Sequence, residues 1–197
     1  MAIVMAMLFF WLLTSLALNA HLFGIVLGAI VFPAYMRYLL LLLEARANGR
    51  QPPVPSIEMF SVWDNTWALT PVILIAALVW AEIALVNAGQ LWVGILLLLA
   101  STIILPLSLA VLAITHSSVE SLNPFAMFRM ATACGPSWVI APLTIIVLSL
   151  VFVLLALAGV PFLLSGLGAS YLLVLLFTLT GSVLRAQNVA VEVGIEE

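Results

Sequence analysis

Six apolar tracts, each about 20 residues long, take up most of this 197-residue chain. A helix of about 20 residues rises about 30 Å, which matches the hydrocarbon core of a lipid bilayer. With 66% hydrophobic and only 7% charged residues, a soluble fold of this length would leave much of its apolar surface in water. The sequence therefore predicts an all-α fold, a polytopic transmembrane helical bundle with six spans at residues 2–18, 22–43, 66–86, 91–114, 137–158 and 167–185.

The first two tracts allow an alternative with five spans. As one helix, residues 1–44 would be about 65 Å long, roughly twice the thickness of the bilayer core. The excess would leave a run of consecutive leucines, residues 39–43, in water. A tight turn at Asn19-Ala20-His21 makes two spans and buries both tracts, so we favour six spans over five.

The basic residues of the chain number five, all of them arginines, and they lie at or beside alternate breaks between the tracts. The intervening breaks, at residues 19–21, 87–90 and 159–168, carry no basic residue. This alternation is typical of a multi-pass protein of the cell inner membrane, because basic loops stay in the cytoplasm. The arginines are Arg37, Arg46, Arg50, Arg129 and Arg185.

The same alternation predicts an orientation. Loops 44–65 and 116–136 and the C-terminus are expected to be cytoplasmic. Residues 1–187 would form a single transmembrane domain, and residues 188–197 a short acidic cytoplasmic tail.

The first cytoplasmic loop contains residues that predict where the second helix ends and where the third span begins. Asn48-Gly49 is expected to end the second helix, and Pro52-Pro53-Val54-Pro55 to hold an extended stretch. Asp64 is expected to cap the third span by accepting hydrogen bonds from free backbone N–H groups. Trp63 and Trp67 would then flank it at headgroup depth.

The sequence of the second cytoplasmic loop predicts that it contains a short helix. Asn123 is expected to be its N-cap, with Pro124 at the first helical position. The helix would end at Cys134, before Gly135-Pro136. Its composition, rich in Phe and Met with the single charge of Arg129, favours a position in the membrane interface.

Two charged residues inside the tracts are candidates for function. Glu82 is an acid in the interior of a predicted span, about one turn from its outer end. An intramembrane carboxylate serves a proton relay or binds a cation in many proteins, but this one could also reach the outer interface beside Trp80 and Gln90. Arg37 either contacts headgroup phosphates or binds a substrate.

Nothing in the sequence predicts a catalytic residue, a cofactor or a metal ion. In the six-span topology His21 and His116 lie on opposite sides of about 30 Å of bilayer, so they cannot share a metal. A single cysteine, Cys134, excludes an internal disulfide and a multi-cysteine zinc site. No basic tract could neutralise a run of phosphates, which excludes nucleic acid as a partner, and no hydrolase, Walker or Rossmann motif occurs in a suitable context. We expect that the protein is not an enzyme.

Small residues indicate where helices could approach closely. Gly24 and Gly28 form a GxxxG motif in the second tract, which suits packing within the chain and contact with other membrane-protein helices equally. Gly166, Gly168 and Ala169 could serve the sixth span in the same way. Membrane lipids and other membrane helices are therefore the expected partners.

Two blocks of the chain carry short motifs in a recognisable order. The first runs from Ala34-Tyr35-Met36-Arg37-Tyr38 to Asn48-Gly49-Arg50-Gln51-Pro52-Pro53, and the second from Leu105-Pro106 to Ser121-Leu122-Asn123-Pro124. They resemble the "GY … PP … LP … NP" pattern of an uncharacterised polytopic membrane-protein family, a domain of unknown function akin to the membrane domain of some glycerophosphodiester phosphodiesterases. This chain has Ala34 where that family usually has glycine. The resemblance implies a six-helix type of bundle with an interfacial helix, and no catalytic residues.

Two functions fit these features. The first is a non-enzymatic, multi-pass membrane protein that acts as an accessory, scaffolding or lipid-contacting subunit of a membrane assembly. The alternative is a small transporter or channel that uses Glu82 and the polar fourth span.

Overall fold

Every regular element in the described part of the chain is helical. The computed structural model describes residues 2–19, 21–60, 66–157, 159 and 162–187. The α-helices are α1 (Ala2–Asn19), α2 (His21–Ala47), α3 (Thr70–Asn87), α4 (Leu91–Thr115), α5 (Ser118–Ser121), α6 (Pro124–Cys134), α7 (Ile140–Leu157) and α8 (Phe162–Ala186), and short 3₁₀ turns cover Ile57–Phe60, Thr66–Leu69 and Gly135–Val139. The predicted all-α helical bundle is confirmed.

Five segments of the described chain are long and apolar enough to cross a membrane, and a sixth apolar segment, Ile3–Leu16 in α1, is shorter. Their boundaries follow the predicted tracts closely, except that Pro124–Val147 combines α6 with the first part of α7. That α1 crosses the whole bilayer stays a prediction. The five segments are Val26–Ala47, Thr70–Asn87, Leu91–Thr115, Pro124–Val147 and Gly166–Ala186.

The first two tracts form separate, antiparallel helices. The ring of Phe10 on α1 lies 4.9 Å from the ring of Tyr35 and 5.7 Å from that of Tyr38 on α2, between centroids. In one straight helix, positions 10 and 35 would be about 37 Å apart. The chain therefore reverses between them, and the prediction of two helices is confirmed.

Helix α2 lies at the centre of the bundle. In its most apolar window 72% of the residues are buried, compared with 6% in the window of α3. The leucine run that would have faced water in a single long helix is instead covered by neighbouring helices, since Leu39 and Leu43 are fully buried. They share one core with Phe10 of α1 and Phe177 of α8. Burial of this run explains how the chain accommodates so many consecutive leucines.

Helices α2 and α8 run parallel to each other in a constant register. The Tyr35 hydroxyl donates a hydrogen bond to the Ser170 carbonyl oxygen at 3.0 Å, and this bond is buried. Further along, Gly181 lies so close to α2 that an added Cβ would overlap the Leu43 carbonyl oxygen and lie 2.9 Å from the Arg46 Cβ. Residue 35 is thus paired with 170, and 46 with 181, in the same direction along both helices.

Gly28 of the predicted GxxxG motif is not the site of this close approach, and the surroundings of Gly24 lie outside the described residues. A Cβ added to Gly28 would meet the Phe32 ring of its own helix at 3.6 Å, and among the described residues no other helix lies within 4 Å of that position. Gly166 does contact another helix as predicted, with the Trp11 Nε1 of α1 at 3.6 Å from an added Cβ. Within the chain, the tightest helix contact among the described glycines is at Gly181, which the sequence analysis missed.

The predicted helix ends are confirmed where the structure describes them. After α2, Gly49 has φ 66°, and the Arg50 N–H donates to the Ala45 carbonyl at 2.7 Å, which is a Schellman motif. At the start of α6, the Asn123 Oδ1 accepts from the Phe125 N–H at 3.0 Å. Asp64 and Trp63, predicted at the start of the third span, and the acidic tail lie outside the described residues.

The α3–α4 hairpin is attached to the bundle at one end only. Pro71, at the start of α3, is its single buried residue among those described. In α4 the buried residues are concentrated in the last third, at 106–113. The outer halves of both helices therefore project their apolar side chains away from the core.

The interhelical bond of Tyr35 predicts unequal effects of two tyrosine substitutions. Tyr35→Phe leaves the buried Ser170 carbonyl without its donor, so we expect it to lower the free energy of unfolding by about 1 kcal/mol. Tyr38→Phe is the matched control, because the buried Tyr38 hydroxyl has no hydrogen-bond partner. Its removal should be neutral or stabilising. Equilibrium unfolding in mixed micelles measures both, and equal losses would contradict the assignment.

The tight contact at Gly181 predicts a second pair of opposite effects. Gly181→Ala places a methyl group against the α2 backbone, and we expect a loss of about 1–3 kcal/mol through overpacking. Gly94→Ala is the control, since its Cβ would meet the Val86 Cγ2 at an ordinary 3.8 Å. That change should be neutral or stabilising because alanine favours helix over glycine. Thermal unfolding followed by circular dichroism measures both variants, and a tolerated Gly181→Ala would refute the contact.

Candidate functional site

The two longer loops and the C-terminal end of α8 meet at one end of the bundle. The Arg185 Cζ lies 2.9 Å from the position of a Cβ added to Gly49. The Gln187 Nε2 donates to the Cys134 carbonyl at 3.1 Å and contacts the Ser137 Oγ at 3.2 Å. We call this end, formed by residues 46–50, 116–118, 134–137 and 185–187, the basic end.

Two further contacts tie the start of the α3–α4 hairpin to the basic end. The hydroxyls of Thr70 and Ser118 are hydrogen-bonded at 2.6 Å. The Trp67 ring stacks on the ring of His116, with centroids 5.0 Å apart and planes 17° from parallel. Both contacts join the beginning of α3 to the segment that follows α4. The hairpin is therefore fixed at its base, the end where α3 begins and α4 ends.

The arginines lie toward one end of the described bundle and are missing from its described turns at the other end. Arg46, Arg50 and Arg185 lie at the basic end, and Arg129 lies on α6, which leads into it. Arg37 precedes the end of α2 by about 15 Å at the rise of a helix. The described turns at the opposite end, around Gly89 and Gly159, carry no arginine. The charge asymmetry is therefore a property of the folded molecule.

The arginines of the basic end differ in what surrounds them. Arg50, whose side chain is 70% exposed, lies 3.7 Å from the Glu44 carboxylate, a separation at which a surface pair contributes little stability. The Nε of Arg46 is buried and has no hydrogen-bond partner. Arg185 is exposed, and among the described residues neither it nor Arg46 forms an ion pair with an acid. The basic end thus holds positive charge that the described chain does not neutralise.

His116 is the C-cap residue of α4, and this position explains its left-handed backbone conformation. It follows α4 with φ 50°, and its N–H donates to the Leu112 carbonyl at 2.9 Å. The left-handed conformation ends the helix, a role more often filled by glycine or asparagine. Its Nε2 is buried without a hydrogen-bond partner. The side chain of His21, the other candidate, lies outside the described side chains.

The structure does not bring Glu82 together with the polar residues of the fourth span. Ser101 and Thr102 each donate to a carbonyl one turn back in α4, at 2.7 Å. Glu82 is half-buried on α3, next to the half-buried Ala81 and the exposed Ile83. In the described residues it has no hydrogen bond or ion pair, and nothing there resembles a relay of polar groups leading away from it.

A cavity of about 130 Å³ lies between α4, α7 and α8. Its lining is almost entirely aliphatic, and the one polar group, the Thr144 hydroxyl, donates to the Ile140 carbonyl at 2.7 Å. Glu82 does not line it. The other lining residues are Leu105, Ile145, Leu172, Leu173, Leu175, Leu176 and Leu179.

The described residues contain no group of three or more His, Cys, Asp or Glu side chains that could hold a metal ion. Cys134 is buried, with its Sγ 3.8 Å from the Met130 sulfur. Cys134 therefore resembles a buried core thiol, and it directly precedes the 3₁₀ turn Gly135–Val139 that leads to α7.

No family model, no curated protein and no solved structure matches the chain. The resemblance to the membrane family with the "GY … PP … LP … NP" pattern therefore stays a prediction. What the protein does must be inferred from its own surfaces.

Proposed function

We propose that the protein is a non-enzymatic accessory subunit of a membrane assembly, and that it contacts a transmembrane helix of a partner protein through α3. The observation that carries this proposal is the exposed outer face of α3. The face repeats at helical spacing and consists of Ile73, Ala76, Ala77, Trp80, Ile83 and Ala84, all exposed.

An apolar face alone does not select a protein partner, since lipid tails solvate it equally well. The shape of this face is more informative. Trp80 is 74% exposed and stands between the small side chains of Ala76, Ala77 and Ala84. Small residues let a second helix approach closely, and the large ring beside them provides a projection for that helix to pack around.

The depth of Trp80 also favours a protein partner. It lies about 10 Å from the end of α3, inside the apolar span, whereas membrane tryptophans are enriched at the headgroup level. Trp92, 78% exposed, fits that level because it is the second residue of α4. The indole N–H of Trp80 has no water at its depth, and an acceptor on a partner helix would satisfy it.

The transporter alternative has less support. Glu82 lies outside the cavity between α4, α7 and α8, and the Ser101 and Thr102 hydroxyls are satisfied by their own helix. A carrier needs polar groups that converge at one depth. Such a set is missing from the described side chains near Glu82.

We also propose that the protein lies in a cell inner membrane with the basic end in the cytoplasm. The support is the arginine asymmetry, because positively charged loops are retained on the cytoplasmic side. The neutral turn between α3 and α4 would then face outward.

This orientation predicts the pattern of cysteine labelling in a variant whose native Cys134 has been replaced. Cysteines introduced at Gln51 and Val119 should react with a membrane-impermeant maleimide only after the cytoplasmic side is opened, because both positions are exposed at the basic end. A cysteine at Gln90, in the opposite turn, should react in intact cells. Labelling of Gln51 and Val119 from outside would reverse the topology.

The proposed partner contact predicts that bulk added to the outer face of α3 disrupts an assembly. In native membranes solubilised with mild detergent, we expect the wild-type chain to migrate well above its 21.2 kDa monomer. The double change Ala77→Leu and Ala84→Leu should return it to the monomer, because it fills the small positions beside Trp80. The double change Ala29→Leu and Ala133→Leu, which adds the same bulk at two exposed positions outside α3, is the matched control.

Two results would contradict the accessory role. One is a wild-type chain that migrates as a monomer under these conditions, or a double variant that migrates as the wild type does. The other is an ion or solute flux in reconstituted vesicles that Glu82→Gln abolishes, which would establish the carrier instead.

A further inference from the structure

Arg46 and Arg185 lie on two adjacent helices that cross in parallel at a glycine. Gly181 brings the α8 backbone against the Cβ of Arg46, at 2.9 Å from an added methyl. Arg185 is one turn beyond Gly181 on the same side of α8, and Gly49 follows Arg46 by three residues, just past the end of α2. The Arg185 guanidinium rests over Gly49, where a side chain would leave no room. The two arginines therefore emerge at successive levels of one helix crossing.

The pair is unneutralised within the described chain. Neither side chain has an acidic partner there, whereas the neighbouring Arg50 approaches Glu44 at 3.7 Å. The buried Arg46 Nε–H has no acceptor among the described residues. Two guanidinium groups without an acidic partner among the described residues form a suitable site for an anionic ligand. The C-termini of α2 and α8 carry partial negative charge, which stabilises the positive charges of Arg46 and Arg185. This partial charge does not provide a hydrogen-bond acceptor for the Arg46 Nε–H.

The depth of the pair indicates the class of ligand. Arg46 and Arg185 lie in the last turns of α2 and α8, and the fully buried Leu43 and Leu184 precede them by three residues and by one residue. In a bilayer these last turns lie at the level of the phospholipid phosphates. Guanidinium groups bind phosphate through two parallel N–H···O bonds, which a lysine could not make.

We propose that Arg46 and Arg185 bind a phosphate group at the basic end, and that it belongs to the headgroup of an anionic membrane phospholipid. The glycine at position 49 leaves the space in which the Arg185 guanidinium lies, and the terminal N–H groups of the two guanidinium groups supply the donors for the phosphate oxygens. This site is separate from the outer face of α3 and does not rest on the proposed partner contact.

The proposal is tested on the purified chain in detergent by native mass spectrometry. The probes are dioctanoyl phosphatidylglycerol, dioctanoyl phosphatidylcholine and inorganic phosphate. We expect phosphatidylglycerol to bind in preference to phosphatidylcholine, and Arg185→Ala to weaken that binding about tenfold, the equivalent of one charge-assisted contact. Arg185→Lys should recover only part of the affinity because it restores the charge without the planar fork.

Arg129→Ala is the matched control, since it removes one exposed guanidinium from α6 on the same side of the molecule. It should leave the affinity unchanged. Arg185 is also exposed, so its replacement should preserve the unfolding temperature, and that measurement accompanies each titration. Equal weakening by Arg129→Ala would show diffuse attraction and overturn the site, as would full affinity in Arg185→Ala. Displacement of phosphatidylglycerol by an equal concentration of inorganic phosphate would assign the site to a soluble anion and overturn the lipid.

Discussion

The parallel packing of α2 against α8 is the contact on which the rest of the structure depends. At one end of this contact, Gly181 lets the α8 backbone approach Leu43 of α2 closely. At the other end, the buried hydrogen bond from Tyr35 to the Ser170 carbonyl fixes the register of the two helices. Between membrane helices there is little hydrophobic driving force, so close van der Waals contact and interhelical hydrogen bonds carry the stability. Parallel α2 and α8 end together, which brings residues far apart in sequence, such as Gly49 and Arg185, to one end of the bundle.

Much of the fold could be predicted because it follows from one-dimensional constraints. Bilayer thickness sets the tract lengths, Gly49 and Asn123 set helix ends by local geometry, and these were confirmed. The packing could not be predicted in the same way. A glycine in an apolar helix has the same local signature whether another helix touches it or not, so Gly28 drew attention and Gly181 did not. Which glycine is in contact depends on the pairing of helices, and that is set by the whole chain.

The candidate site shows a similar division. The arginine pattern indicated correctly that basic residues would share one end, because charge is readable from the sequence alone. It did not indicate that Arg46 and Arg185 would lie at the same α2–α8 crossing while Arg50 lies beside Glu44. Glu82 stood out as a lone intramembrane acid, but its significance depends on neighbours, and the described polar groups nearest in sequence on α4 bond to their own backbone. Composition identifies unusual residues, and only geometry shows which of them act together.

The two ends of the molecule are built for different neighbours. At the basic end the helices are interlocked by side-chain bonds such as those from Gln187 to the Cys134 carbonyl and between Thr70 and Ser118. Toward the opposite end, α3 buries none of its described residues beyond Pro71. A hairpin fixed at its base and open above can adjust its outer half to another surface without disturbing the core, since few buried contacts would be lost. Under the proposed function, this division gives one small chain a fixed base at one membrane face and a separate helix surface for a partner within the bilayer.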